Sequence, residues 1–238
     1  MSFQWSLASD ASSTGKVFSR SLAPNEQSFY YDRVFNGTAD IIWHYTVQET
    51  DRARHAALFS EENVKRAWTT LKQWYPLYGS QMDDSDGSDP VKFVVSEKSL
   101  ASCHPDEVTF TSVSSRVEVR AVIDRLMLIS PMEDHHLLSR VLVFTHKNNP
   151  GTCDFLFRAA HAIADGISSA SIARTFFDVL TSPPVPPPCL EARLAMALPY
   201  VELNPSKRMS MARQRWRRAA ATIIYLNRRR RLAVSCIQ

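Results

Sequence analysis

Glycine is scarce, with six in 238 residues, which excludes collagen-like repeats and glycine-rich linkers. Cysteine is scarce as well. The four cysteines (Cys103, Cys153, Cys189 and Cys236) lie far apart without a Cys-x-x-Cys pair, so the sequence indicates neither a zinc framework nor a disulfide scaffold. No stretch reaches the ~18 consecutive apolar residues of a membrane span, and the first 20 residues lack the apolar core of a signal peptide. Without a secretion signal, Asn36-Gly37-Thr38 reads as a chance glycosylation sequon. Cys236 stands third from the end, one place off a prenylation box. These absences point to a soluble protein of the reducing cytoplasm. The content of 45% hydrophobic and 22% charged residues is that of a folded chain rather than a disordered one. Its length suffices for one large domain or two small ones.

Charge is unevenly spread. The last acidic residue is Glu202, and ten of the 28 Lys/Arg follow it, including Arg228 to Arg231. Residues 1–202 therefore carry a net of −6 and the final 36 residues carry +10. Trp216 and Tyr225 are interleaved with the arginines, a composition compatible with nucleic acid or an anionic membrane surface. No recognised nucleic-acid motif accompanies it, and the end of a truncated or mis-spliced product would read the same way. Five of the 13 prolines fall in Thr181–Pro188, a run that can enter neither helix nor sheet interior. The expected organisation is a domain over 1–180, a Pro-rich linker over 181–190 and a basic, helical tail over 191–238.

Residues 1–26 read as a polar lead-in. The β-branched and aromatic run Ile41–Val47 predicts a strand. Ser60 caps a following helix, with Glu61 and Glu62 in its first turn and Val64, Ala67, Trp68 and Leu71 on its buried face, until Pro76 ends it. Trp68, Trp74, Tyr75 and Tyr78 read as core rather than as a stack for a ligand. The acidic turn 82–90 lacks the twelfth-position glutamate of a calcium loop. Strands are expected at 91–95 and 108–111. Ser115 and Glu118 then form a capping box opening a helix that buries Val119, Val122, Ile123 and Leu126. His135 and His136, being adjacent, would point to opposite faces of a strand, which argues against a metal site with His146.

The most legible stretch is 137–180. A strand over 137–146, a turn at Asn148–Gly151 and a strand over 153–160 form a hairpin. His161-Ala162-Ile163-Ala164-Asp165-Gly166 follows directly, and then a helix with Ile167, Ala170, Ala173, Phe176, Phe177 and Leu180 on its inner face. A strand thus delivers His161 and a helix leaves Gly166, which places an imidazole on a short connection between two rigid elements. An imidazole, with an ordinary pKa near ~6.5, can accept and return a proton at neutral pH.

The segment Phe157–Ser168 resembles the HxxxDG acyltransferases, a superfamily that includes chloramphenicol acetyltransferase, the plant BAHD acyltransferases, fungal alcohol and trichothecene O-acetyltransferases, and peptide-synthetase condensation domains. The hairpin, the following helix and the 64–78 helix ending in Trp74-Tyr75-Pro76-Leu77 fit it too. The resemblance runs over roughly residues 20–185. It implies an α/β fold, a mixed sheet with packed helices equivalent to the N-terminal half of a chloramphenicol acetyltransferase-like architecture. It further implies that His161 is the general base in transfer of an acyl group, acetyl above all, from acyl-CoA as co-substrate to a hydroxyl of a small alcohol acceptor of secondary-metabolite type. Asp165 would be structural, holding the loop through an arginine, for which Arg20 is a candidate; Gly166 would permit the tight turn into the helix. No metal and no other bound cofactor is implied.

Two departures bear on activity. Condensation domains usually carry a histidine where Ala160 stands, so small-acceptor O- or N-acylation is favoured over peptide-bond formation. Family members are about twice as long, with the channel between two similar halves, and nothing here resembles the DFGWG element of the second half. The chain is expected to need a complementary half or self-association, or else to be a non-catalytic half-fold or binding module.

Overall fold

The computed structural model describes residues 3–11, 15–36, 40–84, 91–129, 137–183, 185–203 and 210–213, together with 215, 216, 219, 220 and 223. One compact unit covers residues 1–199 and a second covers 200–238. The elements of the first unit, in order, are β1 (Ser6–Ala11), β2 (Gly15–Ser21), α1 (Pro24–Asn36), β3 (Asp40–Gln48), α2 (Arg52–Leu58), α3 (Glu61–Trp74), a 3-10 turn (Pro76–Gly79), β4 (Gln81–Asp83), β5 (Lys92–Ser96), α4 (Glu97–Ala101), β6 (Val108–Val113), α5 (Arg116–Ile129), β7 (Ser139–His146), β8 (Thr152–Ala160), α6 (Gly166–Thr181) and α7 (Leu190–Met196). In the second unit α8 spans Tyr200–Leu203. The described residues between 211 and 223 are helical, and Met211, Trp216 and Ile223 are exposed.

The fold is mixed α/β with two four-stranded sheets, ordered β1-β2-β5-β4 and β3-β8-β7-β6. The second sheet positions the site. Its β7–β8 hairpin is antiparallel with Val141 opposite Phe157, and β3 runs antiparallel along the other side of β8 with Trp43 opposite Phe157. β6 pairs with β7 in parallel, an arrangement that needs a crossover, and α5 supplies it.

All nine residues of β8 are buried. Phe155, Phe157 and Ala159 join Trp68, Leu71, Ile172 and Phe176 of α3 and α6 in one core, whereas Leu156 joins Val113, Val119 and Phe144 in another under α5. The alternation of side chains along a strand thus puts helices on both faces of β8. Aromatic edge-to-face pairs tie α6 to the strand, with Phe157 and Phe176 centroids 5.2 Å apart.

Several sequence expectations match at the level of single residues. Ser60 Oγ accepts from the Asn63 N–H at 3.2 Å and caps α3, whose buried residues include Val64, Ala67, Trp68 and Leu71. The capping box expected on Ser115 is not observed: Glu118 accepts instead from the Ser114 N–H at 3.2 Å, one residue earlier, at the head of α5.

Others need correction. The polar lead-in is a strand pair and the start of a helix. Gly15 turns between β1 and β2 at φ 68°, and any Cβ there would stand 2.7 Å from the Glu97 carboxylate. The inner face of α6 is as expected at Ala173, Phe176 and Leu180 but differs near its start. Ile167 is 82% exposed and Ala170 is exposed, while Ser169, Ile172, Ala173, Phe176 and Leu180 are buried. Ser169 can occupy the apolar face because its hydroxyl donates to the Asp165 carbonyl at 2.6 Å.

The compact unit also extends past the proline run. Leu190 and Leu194 of α7 are buried with Phe18, Val95 and Leu100, so residues 191–199 belong to the body. Of the expected acidic turn 82–90, Met82 and Asp83 belong instead to β4, and residues 85–90 lie outside the described residues, as do His135 and His136.

Candidate functional site

The site is built where β8 ends. The Ala160 N–H donates to the Leu138 carbonyl at 2.8 Å, the last rung of the hairpin, and the Ile163 N–H closes a turn on the Ala160 carbonyl at 3.0 Å. Ala162, Ile163 and Ala164 are buried and anchor the turn from below, leaving His161 half-buried above them.

Two contacts fix the imidazole. His161 Nδ1 lies 2.8 Å from the Ala164 carbonyl oxygen. A carbonyl can only accept, so Nδ1 carries the proton, and in the neutral ring Nε2 keeps its lone pair. The Phe29 ring of α1 stacks on the imidazole at 4.0 Å with 12° between planes. Among the described residues Nε2 has no hydrogen-bond partner. The ring is held from the side and from one face, and its basic nitrogen is left available.

Asp165 is the N-cap of α6. Its Oδ1 accepts from the Ser168 N–H at 2.7 Å and the Ile167 N–H at 3.1 Å. The Asp165 N–H donates to Ser168 Oγ at 2.8 Å, completing a reciprocal capping box. These bonds, the backbone one from Ser168 first, hold its carboxyl below the usual carboxylate range.

The expected arginine partner is not Arg20. That guanidinium lies buried between the Trp5 and Phe93 rings and makes a bidentate pair with Glu26 at 2.8 and 2.9 Å. Asp165 instead takes its hydrogen bonds from the backbone of its own helix. Gly166 is not at positive φ, and a Cβ there would meet nothing within 4 Å. The turn does not demand a glycine; the space over the first turn of α6 is open.

Ile163 and Ser168 of the same segment border a cavity of about 440 Å³ that Trp74, Tyr75 and Tyr78 also line, whereas His161 does not. Of the four aromatic residues expected in the core, Trp68 and Tyr78 are there, Tyr78 also bordering this space, while Trp74 and Tyr75 line it.

Phe29 is the site residue that sequence reasoning missed. A signal was present: Pro24 and Glu26 stand at the first and third positions of α1, and Phe29, Tyr30, Arg33 and Val34 follow at helical spacing.

A second histidine cluster sits on β8 near its other end. Asp154 accepts hydrogen bonds from Thr46 Oγ1, His146 Nε2 and His44 Nε2, the last at 2.9 Å. Among the described residues no group of three His, Cys, Asp or Glu could hold a metal ion, and no helix is long and apolar enough to cross a membrane.

The sequence matches no family model and no curated protein. Solved structures do match in fold. Trichothecene 15-O-acetyltransferase from Fusarium sporotrichioides superposes with a TM-score of 0.62 at 11% identity, over 94% of this chain and 48% of that one. The starter condensation domain of rhizomide synthetase gives 0.52 at 13% identity, over 72% and 40%. The condensation domain of the Monacolin K polyketide synthase gives 0.51 at 8% identity, over 68% and 34%. This chain thus spans less than half the length of each. These likenesses show a mixed α/β fold like that of part of the trichothecene acetyltransferase and condensation-domain structures.

Proposed function

We propose that the chain serves acyl transfer from acyl-CoA, acetyl-CoA in the first place, to a hydroxyl of a small secondary-metabolite-like acceptor in the cytoplasm, with His161 as general base. The observation that carries this reading is the Nδ1–H donated to the Ala164 carbonyl, which leaves the Nε2 lone pair of a rigidly held ring available.

In the reaction, Nε2 takes the acceptor's hydroxyl proton as the oxygen attacks the thioester carbonyl. The tetrahedral intermediate then expels the CoA sulfur, which receives the proton back from Nε2. The Ala164 carbonyl stabilises the imidazolium that exists between these steps, and stacking on Phe29 keeps Nε2 aimed. Asp165 and Gly166 act structurally. The Asp165 cap fixes where α6 begins, and Gly166 keeps the space above that turn open.

The share of the solved structures spanned, 48% or less, favours a second reading beside it. On that reading the chain is one half of a site that a complementary half or a second copy completes, or a half-fold that binds without catalysis. One experiment separates the two: thiol release from acetyl-CoA by the purified chain, with a panel of alcohols, wild type against His161→Ala. Acceptor-dependent release that disappears in His161→Ala supports the enzyme. A folded wild-type chain that neither releases thiol nor binds CoA leaves the half-fold reading.

A further inference from the structure

A cation taken out of water costs several kcal/mol unless other groups replace its hydration. Most buried cations of this molecule meet that cost with a carboxylate. Arg20 lies on Glu26, Lys72 on Glu107, and Arg33 and Arg158 on Asp40. Arg193 of α7 does not. It is 8% exposed, and its Nε donates to the carbonyls of Pro188 at 2.8 Å and Cys189 at 3.4 Å. Its Nη1 is buried without a hydrogen-bond partner, and no described carboxylate lies within ion-pair distance. Glu191, the acid nearest to it in sequence, pairs with Lys16 instead. Burial pulls the Arg193 pKa below the ordinary guanidinium range.

This guanidinium borders the 440 Å³ cavity, whose apolar walls include Trp74, Leu77, Ile163, Ile172 and Met196. A second residue of the same lining carries an unsatisfied polar atom. Tyr78 is 5% exposed, and its Oη is buried with no hydrogen-bond partner. Burial first, and then the charge of Asp165, push the phenol pKa up, so the hydroxyl is a donor at any working pH. Ser168 and Ser171 also line the space, but their hydroxyls bond to the backbone of α6. A lone buried cation, a lone donor and an aromatic-aliphatic wall thus surround a volume in the range of small-molecule sites, roughly 300–1,000 Å³.

We propose that this cavity binds a small monocarboxylic acid with an apolar body, its carboxylate on Arg193 with the Tyr78 hydroxyl as a further donor and its body against Trp74, Leu77 and Ile172. One guanidinium matches one carboxylate in charge and fork geometry. A phosphate dianion would need more donors than the lining offers. The site does not rest on the acyl-transfer reading, because His161 is not part of its wall.

Calorimetric titration of the full chain with 4-phenylbutyrate and decanoate, with the corresponding alcohols and with inorganic phosphate, tests it. The acids are expected to bind at one site at least tenfold more tightly than their alcohols, with no measurable uptake of phosphate. Arg193→Met should erase the difference between acid and alcohol, Tyr78→Phe should weaken the acids about threefold, and His161→Ala should leave acid binding unchanged. Because Arg193 also fastens α7 to Pro188 and Cys189, Ser171→Trp provides a second variant. It adds bulk from an exposed position on the cavity wall and should abolish acid binding while the melting temperature holds. Equal binding of acids and alcohols, no binding of either to the folded chain, binding of phosphate alone, or acid binding that survives both Arg193→Met and Ser171→Trp would overturn the proposal.

Discussion

The two ends of β8 present two histidine sites built on opposite terms. Near its start, Asp154 is buried and takes three donors, so the Nε2 atoms of His44 and His146 are both engaged. Just past its end, His161 makes one hydrogen bond through Nδ1, to a neutral carbonyl, and Nε2 is left over. Both acceptors take a ring N–H and so select a tautomer. The difference is that Nε2 is the donor at His44 and His146, toward one buried carboxylate that holds both rings, whereas Nδ1 is the donor at His161 and Nε2 keeps its lone pair. The first arrangement is structural and the second suits proton transfer, although the residue type is the same.

The largest expected effect separates the sites by what each loses. His161→Ala should lower acceptor-dependent thiol release by 10²–10⁴-fold, the usual range for a general base, while shifting the urea midpoint by no more than about 1.5 kcal/mol of stability. Asp154→Ala should do the reverse. It should cost about 3 kcal/mol, because two imidazoles and a threonine lose their common acceptor in a buried setting, with release per folded molecule retained.

The same cluster sets an acid limit. Burial raises the Asp154 pKa, but the hydrogen bonds from Thr46, His146 and His44 outweigh it, so the carboxyl ends below its ordinary value. A depressed folded pKa stabilises above the unfolded value of ~3.9 and is lost as pH falls below it. Urea midpoints measured from pH 6 down to pH 2.5 should therefore fall more steeply for wild type than for Asp154→Asn.

Phe29→Ala sharpens the comparison from the other side. It removes the stacking on His161 and leaves the Nδ1 bond, so kcat should drop about tenfold with KM little changed. Asp165→Ala removes the cap of α6 and should cost about 1 kcal/mol, whereas Asp165→Asn should keep most of it. Thermal melts distinguish the two. The smallest effect belongs to Gly166→Ala, where a Cβ finds open space. Stability should stay within about 0.5 kcal/mol, and a loss of release without a loss of stability would show that the open space serves the substrate.

The parts of the molecule that were legible in sequence are those whose burial is complete and local. β8 reads as a near-continuous apolar run because helices cover both its faces. The α3 stripe reads cleanly because cap, acidic first turn and terminating proline agree. By contrast, β1 and β2 are short polar strands, and β2 finds its partner β5 more than 70 residues away, a pairing no local pattern announces. The start of the α6 face is illegible because Ile167 looks buried by type, yet Ser169 takes the inner position through a bond to the N-cap carbonyl of Asp165. The His161 loop could be placed, but not what Asp165 touches, since a capping box and an ion pair to a distant arginine begin from the same carboxylate. The cavity was illegible for a further reason: α3, the 3-10 turn, α6 and α7 contribute separately to its wall.

The central place of β8 also has a consequence in time. A strand buried on both faces, and paired on both sides from Asp40 to Gln48 and from Ser139 to Thr145, exchanges its amide hydrogens only through global opening. The amides of 155–160 should be the last in the chain to take up deuterium, while those of the exposed first turn of α6 exchange through local fraying. His161 stands at that boundary, its backbone tied to the slowest segment and the helix after it able to breathe.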